Sequence, residues 1–442
     1  MSQRDIIDIR TFFSSIEEQE MPVSFDSWVS GRTVKTLATN SGTSALAFQN
    51  WRKFKEAFAP ELIAKAVSES AVSVTSCLDP FGGSGTTALA CQFLGIMPHT
   101  FEVNPYLADL IEAKLTTYDI GTLATDFADV VREANHLKPD LLKLYECAPA
   151  TLVEPGKNDR WIFDIDVAER IASYRLAIDA LSNRDNARLF TALLGGVLID
   201  LSNVLVSGKG RRYRRGWDKV HKDPRQVDIL LLRAVEAAIG DIVRHAERKE
   251  LRYNLARGDS RELIKSAPEV DLVIFSPPYP NSFDYTDVYN VELWMLGYLA
   301  DFSINKELRL ATLASHVQIS RQFAQAPRSS STLERTLSRL EEVREQLWDK
   351  RIVDMIGGYF ADMLNVMQGS SKALVANGEI WMVVGDSKYA GIPVPVADIL
   401  CELAADANCA VLRKEPFRSM RSSAQQGGNE ELPETLIVLR RV

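Results

Sequence analysis

Two hydrophobic periods alternate along this chain. Short β-rich or apolar runs, VSVTSCL at 72–78, HTFEV at 99–103 and DLVIF at 271–275, read as strands. TTALACQFLG and YLADLIEAKL instead repeat apolar residues at three- and four-residue steps, the spacing of a helix with one buried face. The first helix opens near Pro60, with Glu61 placed to favour its positive end. A strand, a glycine-rich turn, a helix ending near Gly95, a strand closed by Asn104-Pro105 and a further helix follow. This β-α-β-α order predicts an α/β fold with a parallel, doubly wound sheet.

The third strand is delayed. From about 117 to 249 the pattern is helical, which predicts an inserted helical region at 118–250 between a first part of the sheet domain (51–117) and a second (251–442). Residues 1–50 form an N-terminal extension, with TNSGTSA around Ser41 as loop. Strand-like runs resume with RYNLARGDS and DLVIF, and a polar helical excursion is expected near 305–347. The long helix VDMIGGYFADMLNVMQGSSKAL, strand GEIWMVVGDS, helix VADILCELAADA and strands CAVLRKEP and ETLIVLRRV complete the chain, with a polar turn at 425–429.

Composition narrows the class. Of 442 residues, 46% are hydrophobic and 25% charged, which suits a globular protein, and no run approaches the roughly 20 apolar residues of a membrane span. The N-terminus has no basic segment followed by an apolar one, so secretion is not expected. Five scattered cysteines without a CxxC pair point to a reducing, cytoplasmic setting, and the five histidines show no metal-ligand spacing, so no metal is expected. The net charge of −8 hides a local reversal: KGRRYRRGWDKVHKDPR, 209–225, carries a net charge of +6 in 17 residues. Lys209, Arg211, Arg212, Arg214 and Arg215, interleaved with Tyr213 and Trp217, are candidates to neutralise phosphates and stack on bases. A solvated loop between helices is an equal reading.

DPFGGSGTT, 79–87, sits at a strand-to-helix turn. Gly83 and Gly85 let the backbone approach a ligand, and free N–H groups of the next helix attract an anion. A Walker loop is excluded because Thr86 stands where its lysine belongs. A dinucleotide fits the Gly83-x-Gly85-x-x-Ala88 spacing with Glu102. S-adenosylmethionine fits better: its carboxylate would meet the turn amides and the Ser84 or Thr86 hydroxyl, its ribose Glu102 and its ammonium Asp79.

SPPYPNSFDY, 276–285, follows the DLVIF strand. It reads either as a turn that ends a strand or as a site, since ligands gather at the carboxyl ends of such strands.

Together these residues resemble the amino-group DNA methyltransferases, which modify cytosine N4 or adenine N6. DPFGGSGTT is similar to that family's cofactor motif, which brings in Phe81, and SPPY to its catalytic tetrad, Ser276, Pro277, Pro278 and Tyr279. FAPELIAKAV resembles the upstream cofactor element, implicating Phe58 and Pro60, and ARGDS the strand end where Asp259 would touch the cofactor adenine. VVGDS and ETLIVLR fit the later strands. The resemblance implies a Rossmann-like class I methyltransferase sheet with a large helical insertion, S-adenosylmethionine as cofactor, double-stranded DNA as substrate and base flipping. The two motifs stand nearly 200 residues apart, an unusual gap that makes the insertion the candidate DNA-recognition region. In this family serine at the first tetrad position usually accompanies N4-cytosine activity; N6-adenine activity is the alternative, and an RNA methyltransferase a lesser one. Ser276 and the Pro277 carbonyl would accept the amine protons and Tyr279 would stack on the base; Phe283 and Tyr285 read either as an extension of that wall or, equally, as core residues. Asp284 and Asp287 read as a solvated acidic loop in preference to acceptors for the target base. A separate restriction endonuclease is a possible partner.

Overall fold

The computed structural model describes residues 24–31, 34, 37, 45–53, 57–207, 210–421 and 431–442. The loop around Ser41, Lys209 and the 425–429 turn lie outside the described residues.

The strands are β1 (Ser76–Asp79), β2 (Met97–Glu102), β3 (Val204–Ser207), β4 (Gly210–Tyr213), β5 (Asn254–Arg257), β6 (Val270–Phe275), β7 (Leu374–Gly385), β8 (Ser387–Tyr389), β9 (Ile392–Val394), β10 (Cys409–Arg421) and β11 (Glu431–Arg441). Seven form one sheet in the order β10-β11-β7-β6-β1-β2-β5. Its five central and edge strands from β7 to β5 run parallel, and β11 joins β7 antiparallel. From β1 the chain builds outward through β2 to β5, then returns to place β6 on the other side of β1. The strand order therefore reverses between β1 and β6, and a crevice opens at their carboxyl ends. Those ends carry Asp79 and Phe275, the residues that lead into the two motifs.

Alternation along the strands sorts two cores. Cys77, Leu272, Ile274, Trp381, Val383, Leu436 and Val438 face one side of the sheet, against the helices Glu61–Glu69, Thr86–Leu94 and Pro105–Leu115. Leu78, Val273, Phe275, Ile380, Met382, Val384, Ile437 and Leu439 face the other, against Ile352–Ala373 and Val396–Glu402. Strands covered on both faces are apolar throughout, which is why DLVIF shows no polar alternation.

The first strand is shorter than expected. The backbone N–H groups and hydroxyls of Thr75 and Ser76 all donate to Asp271 Oδ2, so this carboxylate marks where β1 can start pairing. The insertion contains four long helices, Ile120–Ala134, Ile165–Asp179, Arg184–Leu201 and Arg225–Arg244, and shares one continuous core with the first face of the sheet. It is not purely helical: the β3–β4 hairpin, paired Val204 to Tyr213, carries the front of the basic stretch. The excursion also departs from expectation. After the helix Phe302–Leu310, residues 311–330 run without helix, and Leu313–Val317 are buried.

Candidate active site

The glycine-rich turn is shaped by what lies beneath it. Gly83 and Gly85 have φ of 54° and 80°, the left-handed region, and Gly85 caps the helix Thr86–Leu94. Gly82, which no motif spacing distinguishes, is the position without room: a Cβ there would overlap the Thr100 methyl and lie 2.9 Å from Ile111 Cδ1. Glu102 ties the turn to the end of β2, accepting the Gly83 N–H at 2.7 Å and the Asn104 N–H at 2.8 Å. Below the turn, the fully buried Lys114 ammonium donates to the Ser84 carbonyl at 2.7 Å, and burial lowers its pKa to about 7. Ser84 and Thr86 hydroxyls lie 3.3 Å apart. Burial raises Asp79 to about 6 and Glu102 to about 7, against the help of backbone N–H donors. These two carboxylates are poised in a dry environment where a cation or a hydroxyl donor would relieve their desolvation.

The second motif leaves β6 as Ser276-Pro277-Pro278-Tyr279. Ser276 Oγ lies 2.9 Å from the Val383 carbonyl, to which it donates, and 3.2 Å from the Tyr279 hydroxyl. Tyr279 donates to Glu434 Oε1 at 2.8 Å, and Glu434 is buried on β11. Burial, with Glu434 adding to it, holds the Tyr279 pKa well above the usual phenol value. The loop beyond is anchored from two directions: Tyr389 donates to the Pro280 carbonyl at 2.9 Å, and the Ser282 N–H to the Ser315 carbonyl at 2.9 Å.

Both motifs line one cavity of about 350 Å³. Asp79, Phe81, Gly83, Ser84, Thr86 and Glu102 border it from the turn, Phe58 and Asp259 from neighbouring elements, and Ser276 to Tyr279 from the loop. Pro60 and Gly85 do not border it: Pro60 precedes the helix Glu61–Glu69, and Gly85 acts through the turn. Asp259 is already engaged, receiving the Arg261 guanidinium at 2.6 Å and capping the short helix Ser260–Leu263. Phe283 and Tyr285 also line the cavity and meet edge to face at 4.5 Å.

Three further wall residues, Thr312, His316 and Glu434, carry no signal in the sequence. Asp284 is not solvated as expected; it is buried, ion-paired with Arg309, with His316 Nε2 3.8 Å from its other oxygen. Burial lowers His316 to about 4, so it is neutral at pH 7. The group Glu154, Asp164 and His221 could bring three ligand atoms together, but none borders the cavity, and Asp164 already accepts from Trp161, Asn203 and the Lys222 N–H.

The β3–β4 hairpin stands beside the segment that follows SPPY, with Arg211 3.2 Å from Asp287. Its cations divide by role. Arg214 donates to the Ser202 and Ile199 carbonyls at the end of the helix Arg184–Leu201, so it stabilises the hairpin base. Arg212 and Arg215 are exposed. Tyr213, Trp217 and Trp161 pack on one another, with centroids at 4.6 and 4.9 Å, so their rings are already engaged among themselves.

Over most of its length the chain is similar to two Type II methyltransferases. M.AvaI from Nostoc sp. is 24% identical over 431 residues, covering 88% of this chain and 86% of the relative. M.BsoBI from Geobacillus stearothermophilus is 23% identical over 445 residues, covering 89% and 84%. No protein-family model matches. A solved rRNA methyltransferase, aviRa from Streptomyces viridochromogenes, aligns with 87% of this chain and 85% of its own at 10% identity, but its TM-score of 0.26 is too low to bear on the fold. Among the described residues no helix is long and apolar enough to cross a membrane.

Proposed function

We propose that this chain, similar over most of its length to two Type II methyltransferases, is an amino-group S-adenosylmethionine-dependent DNA methyltransferase that methylates the N4 amine of cytosine at a specific DNA sequence. The observation that carries this reading is the meeting of DPFGGSGTT and SPPY around one cavity, with a hydroxyl at the strand end rather than a carboxylate. The residues suit the cofactor: Asp79 offers a buried carboxylate to an ammonium, the backbone N–H groups that open the helix Thr86–Leu94 and the Ser84 and Thr86 hydroxyls suit a carboxylate, and the remaining lone pairs of Glu102 suit a ribose. When bound, S-adenosylmethionine supplies a methyl group already activated on a sulfonium sulfur.

The rest falls to the chain. An exocyclic amine is a poor nucleophile because its lone pair is delocalised into the ring. Ser276 Oγ and the Pro277 carbonyl accept its two protons and draw the nitrogen toward tetrahedral geometry, while Pro278 stiffens the backbone that aims them. Fixing both acceptors before reaction is the main source of rate. The target base is flipped from the duplex and stacks on Tyr279, because its amine is unreachable inside the helix.

Labelled S-adenosylmethionine and mixed-sequence DNA, followed by mass identification of the modified nucleoside, test the reading. N4-methylcytosine is expected. N6-methyladenine would overturn the cytosine assignment, and methylated RNA alone would overturn DNA as substrate.

The hairpin is the proposed phosphate-binding element. Changing Arg212 and Arg215 to alanine is expected to weaken DNA binding and flatten its salt dependence by roughly 0.9 log unit per log unit of salt for each phosphate no longer neutralised. An unchanged slope in fluorescence titrations across salt concentrations would place the hairpin away from DNA.

A further inference from the structure

The serine of the catalytic tetrad leaves a chemical question that a carboxylate would not. As an exocyclic amine gains a methyl group its nitrogen must shed a proton, and a serine hydroxyl is too weak a base to keep it. The Pro277 carbonyl, an amide oxygen, cannot keep it either. Ser276, however, is joined to a buried carboxylate from the far end of the chain: its Oγ lies 3.2 Å from Tyr279 Oη, which donates to Glu434 Oε1 at 2.8 Å. Since Tyr279 spends its proton on Glu434, only the Ser276 hydroxyl can donate between them; it donates to the Val383 carbonyl at 2.9 Å at rest and turns to Tyr279 Oη for the transfer. The Glu434 position is set by the sheet: antiparallel pairing of β11 with β7 puts it opposite Gly385, two residues beyond Val383.

We propose that Glu434 is the proton acceptor of the reaction, acting as a positioning and relay residue through Tyr279 and Ser276. The amine N–H bond breaks as Ser276 Oγ takes that proton. The original Ser276 proton passes to Tyr279 Oη, and the original Tyr279 proton passes to Glu434, which becomes a neutral carboxylic acid. One positive charge on the methylated amine is cancelled by one negative charge on Glu434, and no further reactant is required. The raised Tyr279 pKa suits a group that transmits a proton while staying a phenol. This inference rests on the amino-methyltransferase reading of the site.

Glu434→Gln keeps an oxygen able to accept from Tyr279 but removes the proton sink; Tyr279→Phe keeps the ring and cuts the link. Each is expected to slow single-turnover methyl transfer by about 10²-fold or more, within the range of general acid–base catalysis, with cofactor and DNA affinities within twofold of native. The double variant should be no slower than the slower single, because both remove one pathway. Infrared difference spectra of a native single turnover should show a protonated carboxyl band that E434Q lacks. Rates within twofold of native in both variants, or a native spectrum without that band, would overturn the relay. If either substitution disturbs binding, the other decides by its rate. A native protein that transfers no methyl to any DNA would instead overturn the reading beneath it.

Discussion

Ser276→Ala combined with Tyr279→Ala is expected to cut methyl transfer to DNA by about 10³-fold or more while leaving S-adenosylmethionine affinity close to native. Removing a pre-aimed hydrogen-bonding group at a reacting centre typically costs 10²–10³-fold, and loss of the stacking face adds to it. The cofactor side is spared because neither side chain hydrogen-bonds to the Asp79–Thr87 turn; Ser276 meets Val383 and Tyr279, and Tyr279 meets Glu434. The change leaves Glu434 without its phenol partner, so a melting curve should accompany the assay. Single-turnover transfer of a labelled methyl group, with calorimetric cofactor titration, checks both halves. Transfer at the native rate would refute the proposed role of the tetrad.

Asp79→Asn is expected to bind S-adenosylmethionine about 100-fold more weakly at pH 8, yet to melt at a higher temperature than the ligand-free native protein. The lost affinity is that of a buried charge-assisted hydrogen bond to an ammonium. The gain has its sign from linkage. Burial raises Asp79 from 3.8 to about 6, so the folded state holds its proton more tightly than the unfolded chain. Stability therefore falls as pH rises from about 4 to 6, and above 6 the full penalty, on the order of 2–3 kcal/mol, is in place. Asparagine never ionises and retains an oxygen for the Phe81 N–H, now bound at 2.9 Å. The difference in melting temperature should thus be a few degrees at pH 8 and vanish below about pH 4. Native cofactor affinity should also decline as pH drops through about 6 and Asp79 takes its proton. A D79N protein that melts below native at pH 8 would show that the buried carboxylate is not the destabilising group described here.

The remaining contrast is between local and distant information. DPFGGSGTT and SPPY are legible because the backbone features that mark them are set within a few residues: a tight turn needs glycine in the left-handed region, and a rigid carbonyl needs proline. The strands that deliver them are legible because burial on both faces forces an unbroken apolar run, as in DLVIF. Gly82 is not distinguished from its neighbours, since what forbids a side chain there is Thr100 and Ile111, which arrive only when β2 and the helix Pro105–Leu115 pack beside the turn. The basic stretch is visible as charge, but its division into exposed Arg212 and Arg215, a structural Arg214 and the Arg211–Asp287 pair depends on where the hairpin lands.

By itself, then, the amino-acid sequence determined the kind of sheet and the two motifs at its strand ends, because hydrophobic period and backbone stereochemistry act over short stretches. Only the tertiary structure decided that residues 311–316 form a wall of the cavity, that Asp284 is buried against Arg309, and that Glu434 stands behind Tyr279. These pairings join segments between 25 and more than 150 residues apart, and they follow from strand register and loop anchoring, which no local pattern encodes.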